Sequence, residues 1–216
     1  HSRAPVTETL SASLAVLFGI AGNRADDALA NLQTSYYGTP VVSPQQKNIP
    51  PYHNNGIWPF VEAYKMWAAK ENGQSEILQH SMASIMRASA LFQTNKENMV
   101  AETGSPVGTE INSDRQLWSV AGNLAISYRV LFGIRLAPGS ISFAPYIPSP
   151  YAGTYTLKNL KIGKAMFNLT VTGSGKSITE FLVNGKKQKE FSVRTDNEAT
   201  YQIEITIGGN ESNTAF

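Results

Sequence analysis

Apolar residues recur at helical spacing through the first part of the chain. In residues 7–20, for example, leucines and a phenylalanine repeat at intervals of three or four positions, which places them on one face of a helix. The same pattern predicts further helices, over residues 23–36, from residue 55 onward, over residues 75–92 and over residues 113–132. Residues 37–55 and 93–112 are rich in polar residues, glycine and proline, and both are predicted to be loops.

Two of the predicted helices follow these loops and are expected to be buried on most sides. The helix that begins near Asn55 is apolar around most of its circumference, and Pro59 falls in its first turn, where a missing N–H costs little. The helix after the second loop is equally apolar. Ser113 begins an S-D-R-Q sequence there, in which Gln116 is placed to close a capping box.

The hydrophobic period changes from 3.6 to 2 beyond Gly133. Alternation predicts strands over residues 140–144, 154–162, 165–172, 178–183, 190–193 and 200–207. The dipeptide Asn184-Gly185 is a strong signal for a two-residue hairpin turn. The sequence therefore predicts a helical domain over residues 1–137 and a small antiparallel β domain over residues 138–216.

Composition excludes several classes of function. The 216-residue chain has a net charge of +2 with acids and bases mixed, so neither a nucleic-acid surface nor a membrane-binding patch is expected. It contains no cysteine, which excludes disulfides, zinc–thiolate sites and a thiol nucleophile. The histidines lack metal-ligand spacing. No metal or cofactor is expected.

The two polar loops supply candidate binding residues. A buried helix that starts at a polar loop offers free N–H groups and a positive dipole end to a polar ligand. Trp58 and Trp118 offer flat apolar faces suited to a sugar ring. Further side chains could donate hydrogen bonds to sugar hydroxyls: His53, Asn54, Asn55, Arg115 and Gln116. The alternative is that both tryptophans are helix packing and that Gln116 is only a cap.

Glu102 is the candidate catalytic residue. It lies beside Gly104 in the loop that leads to Trp118, where a carboxylate could activate a water molecule. A glutamate in a loop is more often a solvated surface charge. By spacing alone, Glu97 and Glu110 are equal candidates.

Three motifs together resemble the six-hairpin, or (α/α)6-toroid, glycosidases, the broad group that includes glycogen-debranching, trehalase, α-glucosidase and rhamnosidase families. They are Y-H-N-N-G-I-W-P-F at residues 52–60, M-V-A-E at residues 99–102 and R-Q-L-W-S-V-A-G at residues 115–122. The resemblance implies a multidomain α and β protein, in which a partial toroid of about five helices precedes a small antiparallel β-sandwich-like domain. It also implies that Glu102 is the general base, with Glu110 a lesser candidate.

The resemblance further implies the C-terminal portion of a glycoside hydrolase that acts on a carbohydrate by inversion. Because inversion needs a general acid as well as a base, the missing N-terminal part of the same enzyme is expected to supply that acid. Export by a carbohydrate-degrading bacterium, to the periplasm or the cell exterior, is also implied. Two alternatives remain: a phosphorylase, and a non-catalytic carbohydrate-binding or structural module.

Overall fold

A computed structural model of the chain describes residues 6–46 and 48–209. The chain divides into two compact units, the first ending at Ile126 and the second beginning at Ser127. The boundary predicted near Pro138 falls inside the second unit, between the first two strands of one of its sheets.

The first unit is built around one central helix. Its described residues form five α-helices: α1 (Thr9–Leu17), α2 (Ala25–Ala30), α3 (Pro59–Glu71), α4 (Ser75–Phe92) and α5 (Leu117–Ala125). Helix α3 packs against α1, α4 and α5. Its buried side includes Val61, Met66 and Ala68, none of them more than 1% exposed. The prediction of a helix over residues 75–92 is confirmed by α4.

The other predicted helices are shorter than expected. Helix α1 stops at Leu17, because Gly19 and Gly22 follow with positive φ angles of 71° and 55°. Helix α2 ends at Ala30, well before Tyr36. Helix α5 ends at Ala125 and continues as a π-helical segment, Ile126–Leu131.

Four short strands connect the loops of the first unit, and the sequence pattern does not predict them. Strand β1 (Thr7–Glu8) pairs with β2 (Val42–Ser43), and β3 (Gly56–Ile57) pairs with β4 (Met99–Val100). Both pairs are antiparallel and only two residues long. They are too short to show a period, but they join segments that are distant in sequence.

The described part of the second unit, residues 127–209, forms two sheets. Its strands are β5 (Ile134–Ala137), β6 (Ser140–Phe143), β7 (Gly153–Ile162), β8 (Ala165–Gly173), β9 (Ser177–Val183), β10 (Lys186–Lys187), β11 (Ser192–Arg194) and β12 (Thr200–Gly208). One sheet has the order β11-β6-β5, and the other has the order β10-β9-β12-β8-β7. All six predicted strands are confirmed, with bounds that differ by no more than two residues.

The larger sheet buries one face through strict alternation. In β8 the buried residues are Ala165, Phe167, Leu169 and Val171, and the residues that alternate with them are more exposed. The hairpin predicted at Asn184-Gly185 is confirmed: Val183 pairs with Lys186, and both turn residues have positive φ angles. Strand β12 pairs with β8 in parallel and with β9 in antiparallel orientation, so this sheet is mixed.

The predicted fold class, a partial (α/α)6 toroid of about five helices followed by a small antiparallel β-sandwich-like domain, is therefore wrong. The described residues contain five helices and twelve strands in four small sheets, with about equal helix and strand content. A toroid needs long helices in repeated hairpins, whereas α1 and α2 have only nine and six residues. The parallel β8–β12 pair also excludes a purely antiparallel β domain.

Candidate functional site

The two polar loops of the first unit are joined by the β3–β4 ladder. Gly56 pairs with Val100, and beyond the strands the Ala101 N–H donates to the Asn55 carbonyl over 2.9 Å. Gly56 is required here, because a Cβ atom at this position would lie 1.7 Å from the Tyr52 carbonyl oxygen. Glu102 directly follows Ala101, the residue that is hydrogen-bonded to the first loop.

Five aromatic rings cluster at the end of the first loop and at the starts of α3 and α5. Trp58 lies at the centre and is 3% exposed. His53 stacks on Trp58 with ring centroids 4.8 Å apart, and the Trp58 indole N–H donates to the Tyr52 carbonyl over 2.9 Å. The remaining rings in contact with Trp58 are Tyr52 at 4.9 Å, Trp118 at 5.3 Å and Phe60 at 5.9 Å.

Trp118 is the member of this cluster with a large apolar ring open to solvent. Its exposed fraction is 39%. Phe60 stacks on it at 4.8 Å with the ring planes 18° apart, so one indole face is covered. Trp58 also contacts this ring, with centroids 5.3 Å apart and ring planes 55° apart, so Phe60 and Trp58 together orient the partly exposed Trp118 side chain.

Glu97 is a buried carboxylate that binds both loops. It is 4% exposed; its Oε1 accepts a hydrogen bond from the Tyr52 hydroxyl over 2.9 Å, and its Oε2 accepts one from the Ser113 N–H over 3.0 Å. Burial raises the pKa of Tyr52, and the hydrogen bond and the negative charge of Glu97 raise it further. Both oxygens of Glu97 are occupied, so this side chain fixes the loops to each other.

Glu102 lies at the tip of a tight turn, residues 100–105, which we call the Glu102 turn. The Gly104 N–H donates to the Val100 carbonyl over 2.8 Å, and the Val100 N–H donates to the Ser105 carbonyl over 2.9 Å. The Glu102 side chain is exposed and has no hydrogen-bond or ion-pair partner among the described residues. Its carboxylate is available to solvent.

Of the remaining predicted site residues, some have side chains that a ligand could reach and others do not. Glu110 is exposed, and its backbone N–H donates to the Pro51 carbonyl over 2.9 Å. His53 is also exposed. Asn54 is buried, and its side-chain amide is hydrogen-bonded to the backbone of Gln46 and Ile49, so it already holds the first loop.

The capping box predicted at Ser113 does not form. Helix α5 begins four residues later, and the side chain of Gln116, its N-cap residue, makes no capping hydrogen bond. The Ser113 N–H is bound to Glu97, and Arg115 has a positive φ of 54°, which interrupts the helix. Gln116 is half-buried next to Trp118, and its backbone N–H donates to the Asn95 carbonyl over 2.9 Å.

The chain matches no known protein-family model, and no curated protein sequence matches it either. Functional interpretation therefore depends on the geometry. Within residues 6–46 and 48–209, no three histidine, aspartate or glutamate side chains form a cluster that could hold a metal ion. None of the helices in that part of the chain is long and apolar enough to cross a membrane.

Sequence reasoning assigned no role to Tyr52 or Phe60, and it considered Glu97 only as a catalytic candidate, not as the residue that joins the loops. The positions of Phe60 and Glu97 are recognisable in the sequence, since Phe60 immediately follows Pro59 and Glu97 closely precedes the apolar strand β4. Sequence position does not reveal their partners, because the Tyr52–Glu97 hydrogen bond joins residues 45 positions apart.

Proposed function

We propose that the first unit provides a carbohydrate-binding surface of a glycoside hydrolase, with Trp118 as the stacking residue. The observation that carries the proposal is the partly exposed Trp118 side chain, whose ring stacks on Phe60 and contacts Trp58. A flat aromatic face suits the apolar C–H face of a sugar ring. The exposed His53 ring, which stacks on Trp58 in the same aromatic cluster, is a polar group suited to the sugar hydroxyls.

Glu102 is the proposed general base of an inverting reaction. It is an exposed carboxylate on a turn that the β3–β4 ladder connects to the aromatic cluster. As a base it would take a proton from the attacking water. Inversion also requires a general acid about 6.5–9.5 Å away, which the proposal places outside these 216 residues. Glu97 is unsuited to either role, because both its oxygens are already hydrogen-bonded.

Calorimetric titration of the chain with a panel of maltohexaose, cellohexaose, xylohexaose and mannohexaose tests the binding surface. We expect saturable binding of at least one of them. Trp118→Ala should weaken that binding about tenfold, which corresponds to ~1.4 kcal/mol. Leu117→Ala is the matched control, since Leu117 is 80% exposed and lies next to Trp118 on the same helix. Equal affinity in the wild type and Trp118→Ala would contradict the proposal.

Turnover tests the catalytic part separately. In the enzyme that carries this chain, Glu102→Gln should lower the rate of glycoside hydrolysis by about 10² to 10⁴ if the carboxylate is the base. Glu110→Gln is the comparison variant. Loss of activity in Glu110→Gln alone would transfer the role to Glu110, and full activity in both would remove the proposed base from this loop.

A further inference from the structure

The ring of Tyr37 lies against the backbone of the Glu102 turn. A Cβ atom at Gly104 would be 2.3–2.7 Å from three carbon atoms of this ring, so glycine is what allows the two to meet. Tyr37 also packs against a buried cluster that includes Ile57, Met99 and Ala101. The ring therefore contacts both the turn and the strands that carry the turn.

Helix α4 binds the backbone around Tyr37 through three side chains. His80, Ser84 and Arg87 are spaced at i, i+4 and i+7, which places them on one face of the helix. They bind three successive carbonyls: His80 Nε2 lies 2.9 Å from the oxygen of residue 35, Arg87 Nη1 donates to that of residue 36 over 3.0 Å, and Ser84 Oγ donates to that of residue 37 over 2.6 Å.

Helix α3 holds the next residues through what we call the buried charged network, Thr39, Glu62 and Lys65. The Thr39 N–H donates to Glu62 Oε1, and Lys65 Nζ donates to Thr39 Oγ1. None of the three is more than 1% exposed. Burial lowers the pKa of Lys65, and the charge of Glu62 opposes that shift.

Burying two charges is costly, and a well-packed apolar pair of similar volume is often at least as stable. What an apolar pair could not do is bind the N–H and the hydroxyl of Thr39 from the same helix. Gly38 fits closely into the same place, since a Cβ atom there would lie 2.5 Å from Ser84 Oγ and 3.0 Å from Glu62 Oε1. The two helices thus fix the backbone on both sides of Tyr37.

We propose that Tyr37 is a positioning residue for the Glu102 turn, and that the buried charged network holds Tyr37 in place. The Glu102 side chain has no partner of its own among the described residues, so the protein positions its carboxylate only through the backbone of the turn. The Tyr37 ring limits the movement of that backbone at Gly104. This inference rests on the proposed role of Glu102 as the base.

Steady-state kinetics of Tyr37→Leu, in the enzyme that carries this chain, tests the inference. Displacing a catalytic group by about 1 Å can cost ~10² in rate, so kcat should fall by up to about 100-fold while KM for the oligosaccharide stays unchanged. Tyr37→Phe keeps the ring and should restore kcat. Phe18→Leu is the matched control, because Phe18 is an aromatic residue of the same unit that is 73% exposed and makes no ring contact among the described residues.

A spectroscopic measurement on the 216-residue chain distinguishes positioning from unfolding. Aromatic ring currents shift nearby proton resonances, so Tyr37→Leu should move the NMR signals of Gly104 and Glu102, whereas Tyr37→Phe and Phe18→Leu should leave them nearly in place. Thr39→Val, which removes the acceptor of Lys65, should move the same signals in the same direction but by less.

The outcomes separate this inference from the proposed function. Wild-type kcat in Tyr37→Leu, with Glu102→Gln inactive, overturns the positioning role and leaves the proposed base intact. Unmoved Gly104 and Glu102 signals in Tyr37→Leu also overturn the positioning role. Full activity in Glu102→Gln overturns the proposed base, and the positioning role with it. A selective fall in kcat together with moved signals supports both.

Discussion

Glu97 and Glu102 are the same residue type on either side of one short strand, β4, and they have opposite environments. Glu97 is 4% exposed and accepts hydrogen bonds from Tyr52 and Ser113. Glu102 is exposed and has no partner among the residues that the structure describes. The difference shows that the Glu97 carboxylate stabilises the loops, whereas the Glu102 carboxylate is exposed to solvent.

Proteins that hold a reactive group accurately usually surround it with residues whose own positions are fixed. The Glu97 region has this character, because it connects the first loop to the segment before α5. If the comparison is right, substitutions at Glu97 and its partners change mainly the stability of the fold. Substitutions at Glu102 should change mainly the activity.

The largest effect on stability is expected from Glu97→Ala. The variant leaves the Tyr52 hydroxyl and the Ser113 N–H without their acceptor and removes a buried side chain, so the free energy of unfolding should fall by about 2–4 kcal/mol. Urea unfolding followed by circular dichroism measures it. Glu110→Ala, an exposed glutamate in the same loop, should change it by less than about 0.5 kcal/mol. Equal losses of unfolding free energy in Glu97→Ala and Glu110→Ala would show that the buried Glu97 stabilises the fold no more than an exposed glutamate does.

Tyr52→Phe should have an intermediate effect. It removes one hydrogen bond to a charged acceptor, so the free energy of unfolding should fall by about 1.5–3 kcal/mol at neutral pH. A less specific role of Tyr52, in ring packing alone, would leave stability nearly unchanged in this variant.

The same pair predicts a pH dependence. The pKa of Tyr52 in the folded protein is raised above its ordinary value of 10.0, so the folded state holds the proton more tightly than the unfolded state. This contribution to stability is complete below pH 10 and is lost as pH rises through the folded pKa. The stability difference between the wild type and Tyr52→Phe, measured by urea unfolding from about pH 8 to pH 11, should therefore shrink above about pH 10. A constant difference would contradict the assignment.

Glu102→Gln is expected to have the smallest effect on stability. Substitutions of exposed side chains without partners usually change the free energy of unfolding by less than about 0.5 kcal/mol, and the melting temperature should stay close to that of the wild type. A loss comparable to that of Glu97→Ala would mean that Glu102 also holds the loop together. The contrast between a structural Glu97 and a Glu102 without a structural role would then be wrong.

The strands of the second unit could be predicted from sequence because their signals are local. Alternation in β8 and the Asn184-Gly185 turn each depend on residues close in the chain, and the structure confirms both. The parallel pairing of β12 with β8 has no such signal. It depends on which buried faces meet in three dimensions, and for that reason the prediction of a purely antiparallel domain was wrong.

The candidate site was predictable in part. The motifs identified the two loops, and the structure places them side by side. The start of α5 was misplaced, because the Ser113 N–H is used by a glutamate 16 positions away rather than by its own helix. Whether a glutamate in such a loop is buried depends on distant partners, so spacing could not separate Glu97 from Glu102.

The outer strands of the five-stranded sheet have a consequence for behaviour at high concentration. Strand β7 lies at one end of that sheet, and its pairing with β8 is interrupted by a bulge between Leu157 and Leu160. Lys158 and Lys161 are exposed beside the bulge, and the opposite end is β10, only two lysines long. Bulges, lysines and short strands at sheet edges oppose pairing with another chain. Both ends of this sheet are therefore protected against edge-to-edge aggregation.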